Sequence, residues 1–387
     1  MRAVGGGAGG FACSRVAWGL LGLALTATGC EASHLIGSAG FVRTRFVEPQ
    51  LVGWANPQLQ LGDLDGDGVA ELWLLDPRRG ELCLRLAEAA AGALRCQTLD
   101  PSVGPSRLCL AQLTSAGQPQ VLVAGQAFLS IVGWPADQPL TVAQRYPLTL
   151  PAAHVERSRG WRAGGESATD VVWTATATQP IATAWLWPGA AAATAATAPV
   201  PIDFALSAAA TALLPVSPGR DGGRELFVAT LAGVEHYSSR GTHSLLPCAE
   251  RLEGSPRLAL LDLDGDDDDD LVALAADGTL QAVERRASPP GWGCLDEAPL
   301  AEPGRSLLWL AAADFDGDGK RDLLAATAER SEGLLLWRRG LPTLRYPLSA
   351  PARAVSVADG DGDGDPDVAV VLSDGSLEFF HNSFAPR

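Results

Sequence analysis

The stretch that decides the fold is 314-DFDGDGKRDL-323, in which aspartates occupy positions 1, 3, 5 and 9 of a ten-residue frame. Three further stretches fit the same frame: 63-DLDGDGVAEL-72, 262-DLDGDDDDDL-271 and 359-DGDGDGDPDV-368. The last three copies start 52 and 45 residues apart, and a gap of 199 residues, close to four such periods, separates the first two. The spacing therefore indicates one structural unit that is repeated along the chain.

The long gap predicts three degenerate copies. The stretch 112-QLTSAGQPQV-121 keeps Gly117 and Gln120, 217-SPGRDGGREL-226 keeps Asp221 and Glu225, and 162–171 keeps only Asp170. These copies lack the first two carboxylates of the frame, so we expect them to hold no ion. Seven copies then start at 63, 112, 162, 217, 262, 314 and 359. A period of about 45–55 residues is typical of a solenoid, a propeller or an array.

The residues that flank the copies favour a propeller. A short apolar run follows each copy, as at Leu323–Ala325, then a third run such as Leu334–Trp337, with room for a fourth at Thr343–Pro347. With 43 glycines, 27 prolines and no long helical periodicity, these runs indicate strands. Four strands in each of seven periods predict an all-β, seven-bladed β-propeller. Phe41–Val47 precedes the first copy, and we expect this strand to complete the last blade and close the ring.

The four acidic loops predict calcium sites. Carboxylates at positions 1, 3 and 5 converge if the backbone curls at position 6, and the carbonyl of position 7 and the carboxylate of position 9 complete an oxygen shell. A lone acidic loop could instead be a solvated turn, but four copies in one frame favour about four Ca²⁺ ions. The predicted ligands are Asp63, Asp65, Asp67, Val69, Glu71; Asp262, Asp264, Asp266, Asp268, Asp270; Asp314, Asp316, Asp318, Lys320, Asp322; and Asp359, Asp361, Asp363, Asp365, Asp367.

Two details qualify this assignment. An EF-hand would need a glutamate at position 12, where Leu74, Ala273, Ala325 and Val370 stand, and its flanks would be helical. The second acidic loop has Asp267 rather than glycine at position 6. Aspartate adopts the left-handed conformation more readily than most residues, so we expect this site to be kept.

These loops, at this spacing and between strands, resemble the FG-GAP/VCBS repeat family, which includes the propeller head of integrin α subunits and many bacterial surface proteins. The resemblance covers roughly residues 41–387 and rests on the calcium loops, since Phe-Gly and Gly-Ala-Pro elements are not evident. It implies that each calcium loop joins the first two strands of a blade and mainly stabilises it. It also implies that ligands bind on the opposite face.

The N-terminus reads as a targeting segment. Arg2 and Arg15 precede the apolar run 16–28, and small residues lead to Cys30, which resembles a bacterial lipobox without its usual leucine. We interpret 1–29 as a lipoprotein signal peptide, 30–40 as a linker after the lipidated Cys30, and 41–387 as the propeller. The alternatives are an ordinary cleaved signal, which would give a periplasmic or extracellular protein, and an uncleaved anchor.

Export permits disulfides. Five cysteines remain after Cys13 and Cys30, so at least one is unpaired. The repeat puts Cys83 and Cys96 on adjacent strands and predicts a disulfide between them. The pairing of Cys109, Cys248 and Cys294 stays open, with Cys109 favoured as a small buried residue.

The net charge of −16 argues against nucleic acid or an anionic membrane surface as a partner. We predict a non-enzymatic, monomeric binding or adhesion module for a protein or glycan, in contact with the membrane only through its lipid. The candidate contact segments are Trp134–Trp161, Trp187–Pro201 and Ala287–Pro303, with Trp134, Trp161 and Trp292 each either an exposed platform or packed between blades. A scaffold for an envelope assembly machine and a glycan lyase or hydrolase are the alternatives. The five histidines are scattered, and no Gly-x-Ser-x-Gly motif is present.

Overall fold

The computed structural model describes residues 40–85, 94–100, 104–113, 120–133, 141–158, 171–186, 199–216, 225–238, 243–275, 277–287, 290–295, 306–329 and 333–384. Within these ranges 28 β-strands form seven antiparallel sheets of four strands each, which is the predicted seven-bladed β-propeller. A one-turn 3-10 helix at Pro49–Leu51 and a short helix α1 at Ala249–Leu252 accompany them. No helix of this part of the chain is long and apolar enough to cross a membrane.

Blades 1 to 4 follow the chain, each with its strands in sequence order from the inner to the outer edge. Their strands are β2 Gln58–Gly62, β3 Glu71–Asp76, β4 Glu81–Arg85, β5 Arg95–Thr98; β6 Pro105–Ala111, β7 Gln120–Gly125, β8 Phe128–Gly133, β9 Thr141–Pro147; β10 His154–Ser158, β11 Val171–Ala175, β12 Ile181–Leu186, β13 Val200–Ala205; and β14 Ala210–Val216, β15 Glu225–Thr230, β16 Gly233–Ser238, β17 His243–Leu245.

Blades 5 to 7 continue the pattern, except that β1 is the outer strand of blade 7. Their strands are β18 Arg257–Leu261, β19 Asp270–Leu274, β20 Leu280–Ala287, β21 Pro290–Cys294; β22 Leu307–Ala313, β23 Asp322–Thr327, β24 Leu334–Trp337, β25 Leu344–Tyr346; and β26 Ala352–Ala358, β27 Asp367–Leu372, β28 Ser376–Asn382, β1 Phe41–Val47. Each first strand contacts the first strands of the neighbouring blades, and β26 contacts β2, so the ring is closed.

The second strand of a blade is the most buried, because neighbouring blades cover both of its faces. All six residues of β3 are buried. Leu72 and Leu74 pack toward blade 7, whereas Trp73 and Leu75 pack toward blade 2. This explains why the strand after each loop reads as a continuous apolar run rather than as an alternating one.

The predicted closure by an N-terminal strand is confirmed. Strand β1 pairs antiparallel with β28 in an unbroken register from Phe41 opposite Asn382 to Val47 opposite Ser376. The ring of Phe41 is buried and makes edge contacts with Tyr346, whose centroid lies 5.2 Å away, and with Phe315 at 5.7 Å. Closure therefore rests on a ladder of backbone hydrogen bonds and on an aromatic cluster shared by blades 6 and 7.

Two disulfides hold outer strands. The predicted Cys83–Cys96 bond is present, and it joins residues directly opposite each other on β4 and β5. A second bond, Cys248–Cys294, connects the segment before α1 with β21 and so joins blades 4 and 5. Cys109 is buried as a thiol, as favoured from the sequence.

We expect Phe41→Ala to lower the free energy of unfolding by about 3–5 kcal/mol, because it removes the buried aromatic anchor of β1. Thermal or denaturant unfolding measures this loss. The matched control is Val47→Ala in the same strand, which should change little because Val47 is 65% exposed. Equal stability of the two variants would show that the closing strand does not hold the ring.

Candidate metal centres

The four acidic loops all join the first and second strands of their blades, as expected from the sequence. They lie between β2 and β3, β18 and β19, β22 and β23, and β26 and β27. Blades 5, 6, 7 and 1 are consecutive around the ring, so the loops are neighbours. We call residues 63–71, 262–270, 314–322 and 359–367 together the acidic arc.

Each loop curls around the carboxylate of its first residue. The backbone N–H groups of Gly66 and Gly68 donate to the two carboxylate oxygens of Asp63, over 2.6 and 3.1 Å. Asp359 accepts the same pattern of bonds from Gly362 and Gly364, whereas Asp314 accepts from the N–H groups of Asp318 and Gly319. The curl needs a left-handed residue at position 6, and Asp267 adopts it with φ of 69°, as predicted.

The position-9 carboxylates are buried at the floor of the loops. Glu71, Asp270, Asp322 and Asp367 are at most 4% exposed, and each accepts a hydrogen bond from the backbone N–H of position 2. Burial, with the nearby carboxylates adding to it, raises the pKa of Glu71 and Asp322 to about 7. Burial likewise raises the pKa of Asp270 and Asp367 to about 6. The folded loops thus carry an electrostatic cost when all carboxylates are ionised.

Carboxylate oxygens of positions 1, 3 and 9 converge in three of the loops. One oxygen from each of these three residues lies within 4.8 Å of the others in the loops that begin at Asp63, Asp262 and Asp314. Oxygen donors at this spacing are what a hard divalent cation such as Ca²⁺ requires. The residues present therefore fit the ion that the resemblance implies, and the loop carbonyls of Val69 and Lys320 occupy the expected seventh position of their frames.

Basic side chains from blade 6 contact the acidic loop of blade 5. The Lys320 ammonium lies 2.9 Å from Asp262 Oδ2 and 2.8 Å from Asp267 Oδ1, and Arg321 Nη1 lies 2.8 Å from Asp269 Oδ2. The sequence predicted only that the backbone carbonyl of Lys320 would bind the ion of its own loop. The available signal was that the single lysine of the chain stands within an acidic loop.

Hydrogen bonds connect the remaining loops of the acidic arc. The N–H of Ala70 donates to the carbonyl of Gly360 over 3.2 Å, which joins the loops of blades 1 and 7. The side chain of Asn382 donates to the carbonyl of Phe315, while its backbone N–H donates to Asp367 Oδ1, which joins blades 6 and 7. The acidic arc is thus continuous from blade 5 to blade 1 and spans the point of ring closure.

Three of the loops are also faced by a residue on the third strand of the blade or directly after it. In each case this residue follows the one that pairs with the first core position after the loop. The three residues are His381 on β28, Arg338 directly after β24, and Glu284 on β20. His381 Nδ1 lies 3.5 Å from Asp361 Oδ2, and Arg338 Nη1 lies 3.6 Å from Asp316 Oδ2. The motif alone did not identify them, but counting along the third strand to this register would have.

In blade 4, whose copy of the frame at 217–226 is degenerate, side chains of the protein itself pair with the position-9 carboxylate. That carboxylate, Glu225, pairs with Arg285 and with His236 Nε2. Burial opposes ionisation, but the hydrogen bonds from His236 and Arg285 outweigh it and lower the pKa of Glu225. Trp292 packs edge-on against Phe227 and beneath Arg285, so it fills the junction of blades 4 and 5 rather than forming an exposed platform.

Several predicted features lie outside the described residues. They are Cys30 with the targeting segment and the linker up to residue 39, Trp134, Trp161, and, within the candidate contact segments, residues 134–140, 159–161, 187–198, 288–289 and 296–303.

The raised pKa values predict a pH dependence for the cation-free protein. Since the position-9 carboxyls have folded pKa values near 6 or 7, above the ordinary range, the folded state binds more protons than the unfolded state between about pH 4 and 7. Stability in EDTA should therefore fall as the pH rises through that window.

Calorimetric melting in EDTA at pH 5.5 and 7.5 measures this effect, with the higher melting temperature expected at pH 5.5. Asp322→Asn should reduce the difference, whereas Asp203→Asn, outside the acidic arc, should leave it unchanged. A melting temperature that rises with pH in EDTA would contradict the electrostatic account.

Comparison with known proteins agrees with this architecture. Residues 314–370 match the family model described as an FG-GAP-like repeat. No curated protein matches the chain.

Several solved structures share the fold at low identity. The structure of BBS1N in complex with ARL6DN has a TM-score of 0.59 at 14% identity, covering 86% of this chain and 93% of that one. A streptogramin B lyase has a TM-score of 0.54 at 11% identity, covering 88% and 98%. Virginiamycin B lyase from Staphylococcus aureus gives 0.54 and 11%, covering 88% and 99%. The chain is therefore a seven-bladed β-propeller in which residues 314–370 form an FG-GAP-like repeat.

Proposed function

We propose that the protein is an exported, calcium-stabilised binding module that is held at the cell envelope by a lipid on Cys30. It acts as a monomer and recognises a protein or a glycan on the face opposite the acidic arc. The observation that carries the proposal is the continuity of that arc across the ring closure. Ions bound there would stabilise the contacts between neighbouring blades, and the opposite face of the ring would remain available to a partner.

The acidic arc supports a structural role for calcium. Four buried carboxylates with raised pKa values would be relieved of their mutual repulsion by bound cations. At a calcium concentration about tenfold above the dissociation constant, each site would add about 1.4 kcal/mol to stability. Four sites would then contribute an amount comparable to the whole stability of a small domain.

The opposite face has a contrasting charge. Because the acidic loops follow the first strands, the starts of the first strands lie at the other end of the central channel of the ring. His154 and Arg257 begin β10 and β18 there, and Arg107 is the third residue of β6. Burial and then Arg257 lower the pKa of Arg107, and burial followed by both arginines lowers the pKa of His154 to about 4. Glu156 is the acidic neighbour that the arginines share. This basic channel mouth, in a chain of net charge −16, favours a partner that presents an anionic group.

A cleft between blades 2 and 3 opens on the same face. Its volume is about 240 Å³, and its lining includes Tyr146, Leu148, Trp185 and Asp203. Apolar and aromatic walls with a carboxylate at one side suit a polar ligand that has an apolar surface. The cleft and the basic channel mouth together form the contact surface that we propose. The same surface would serve a scaffold for an envelope assembly machine, and the identity of the captured partner distinguishes that role from adhesion.

Calorimetric titration of the purified propeller should show about four bound Ca²⁺ ions, and the melting temperature should fall when EDTA is added. The double change Asp314→Asn with Asp316→Asn should remove one ion from the count, because it neutralises two ligands of one loop. Asp203→Asn is the control and should leave the count unchanged. Identical melting in calcium and in EDTA would refute the calcium proposal.

Capture of partners from solubilised envelopes, together with a glycan array, tests the proposed surface. The double variant Arg107→Glu with Arg257→Glu should bind the captured partner at least about tenfold more weakly, and binding to the native protein should weaken with salt. Arg95→Glu, on the outer strand β5, should bind normally.

Partner binding that is unchanged in the double variant would contradict the assignment of this face. A native protein that binds nothing in either screen, with and without chelator, would contradict the binding role itself. Mass spectrometry of the same preparation tests the anchor, since a lipid on Cys30 supports it and a mature N-terminus elsewhere excludes it.

A further inference from the structure

We propose that the loop at 359–367 is a mixed imidazole and carboxylate site, completed by His381, that selects a divalent first-row transition-metal ion over Ca²⁺. The proposal rests on the proposed function in one respect, namely that the loops of the acidic arc bind cations. It goes further in that it assigns a different ion and an additional ligand to one of the four loops.

The position of the His381 ring carries the inference. Its Nδ1 atom is buried and makes no hydrogen bond, although it faces two carboxylates. It lies 3.5 Å from Asp361 Oδ2 and 3.9 Å from Asp367 Oδ2, and the three atoms form one compact group. Two ligands of a shared ion, each about 2.0–2.4 Å from it, are roughly 3–4 Å apart. The three atoms thus have the spacing of ligands around an ion, while both distances are too long for a hydrogen bond.

The surroundings hold these ligands in place. Asp367 is fixed by the backbone N–H groups of Gly360, at 2.9 Å, and Asn382, at 2.6 Å. The His381 ring stacks on Phe379 at an interplanar angle of 18°. The carboxylates and the imidazole are therefore presented by one loop and by two adjacent strands, β27 and β28, which limits the rearrangement needed on binding.

In the loops of blades 5 and 6, where the structure describes the equivalent place, no nitrogen ligand stands there. Arg338 faces the loop of blade 6, and its guanidinium carries a permanent charge and no lone pair for a metal. Glu284 occupies the place in blade 5, where it adds another carboxylate near Asp264. In blade 1 the described part of strand β4 ends at Arg85, which pairs with Leu72. Among the described residues at this place, the one beside the loop that begins at Asp359 is the only histidine.

The donor type determines the preferred ion. Calcium favours shells made of oxygen alone, whereas imidazole nitrogen is a common ligand of Mn²⁺, Co²⁺, Ni²⁺ and Zn²⁺. An imidazole added to a carboxylate loop should therefore increase the affinity for these ions much more than that for Ca²⁺. A protonated His381 paired with the two carboxylates is the competing arrangement, and it would repel a cation instead of binding it.

Manganese is the probe for the test, because its pulsed electron paramagnetic resonance spectrum detects a directly bound nitrogen. In calcium sufficient to fill the other loops, the native protein should retain one Mn²⁺ with a ¹⁴N coupling. His381→Ala should lose that coupling and bind Mn²⁺ at least about tenfold more weakly, as expected when a ligand is removed. Its other loops should still bind Ca²⁺ in calorimetry.

Arg338→His is the matched gain-of-site variant, since it places an imidazole at the equivalent register of blade 6. It should bind a second Mn²⁺ with a nitrogen coupling. Native protein that binds about four Ca²⁺ ions but shows no nitrogen coupling, or equal Mn²⁺ affinity in His381→Ala, would overturn this inference and leave the proposed function intact. Protein that binds neither ion would overturn both.

Discussion

The structure depends on the interactions that offset the charge of the carboxylates buried at the floor of the acidic loops. Glu71, Asp270, Asp322 and Asp367 lie at the floor of their loops with little exposure, and other acidic groups surround them. Each satisfies a backbone N–H of its own loop, which ties the loop to the second strand. The same geometry places several carboxylates close together at the floor of each loop, where little water reaches them. Positive charge nearby therefore stabilises the folded state.

Two kinds of partner can offset this negative charge. In blade 4 the protein supplies the partners itself, since Arg285 forms an ion pair with Glu225 and His236 hydrogen-bonds to the same carboxylate. In blades 5, 6, 7 and 1 the carboxylates outnumber the basic side chains that reach them, and we infer that bound ions make up the difference. Lys320 is an intermediate case, because it belongs to one acidic loop and neutralises part of the next.

Much of the fold follows from the spacing of one short motif. The period of the loops predicts seven blades, and the unfinished last copy predicts that Phe41–Val47 completes it. Asp267 could be expected in a left-handed conformation from its place in the frame. These predictions succeed because they concern the local backbone and the alternation of strands, which the sequence encodes within each repeat.

The contacts between blades could not be predicted in the same way. Lys320 and Asn382 contact loops of a neighbouring blade, and the Cys248–Cys294 bond joins two blades. Which side chain reaches across depends on the register between repeats and on rotamers, and the motif specifies neither. Trp292 illustrates the limit, since the sequence allowed an exposed platform and the structure packs it against Phe227.

The central claim is that cations in the acidic arc hold the ring closed, and backbone hydrogen exchange measures this most directly. With calcium replaced by EDTA, the account predicts that the amides of β1 and β28 and of the acidic loops lose protection, while those of blades 2 and 3 keep it. Loss of protection spread evenly over all seven blades, or no loss at all, would contradict the claim.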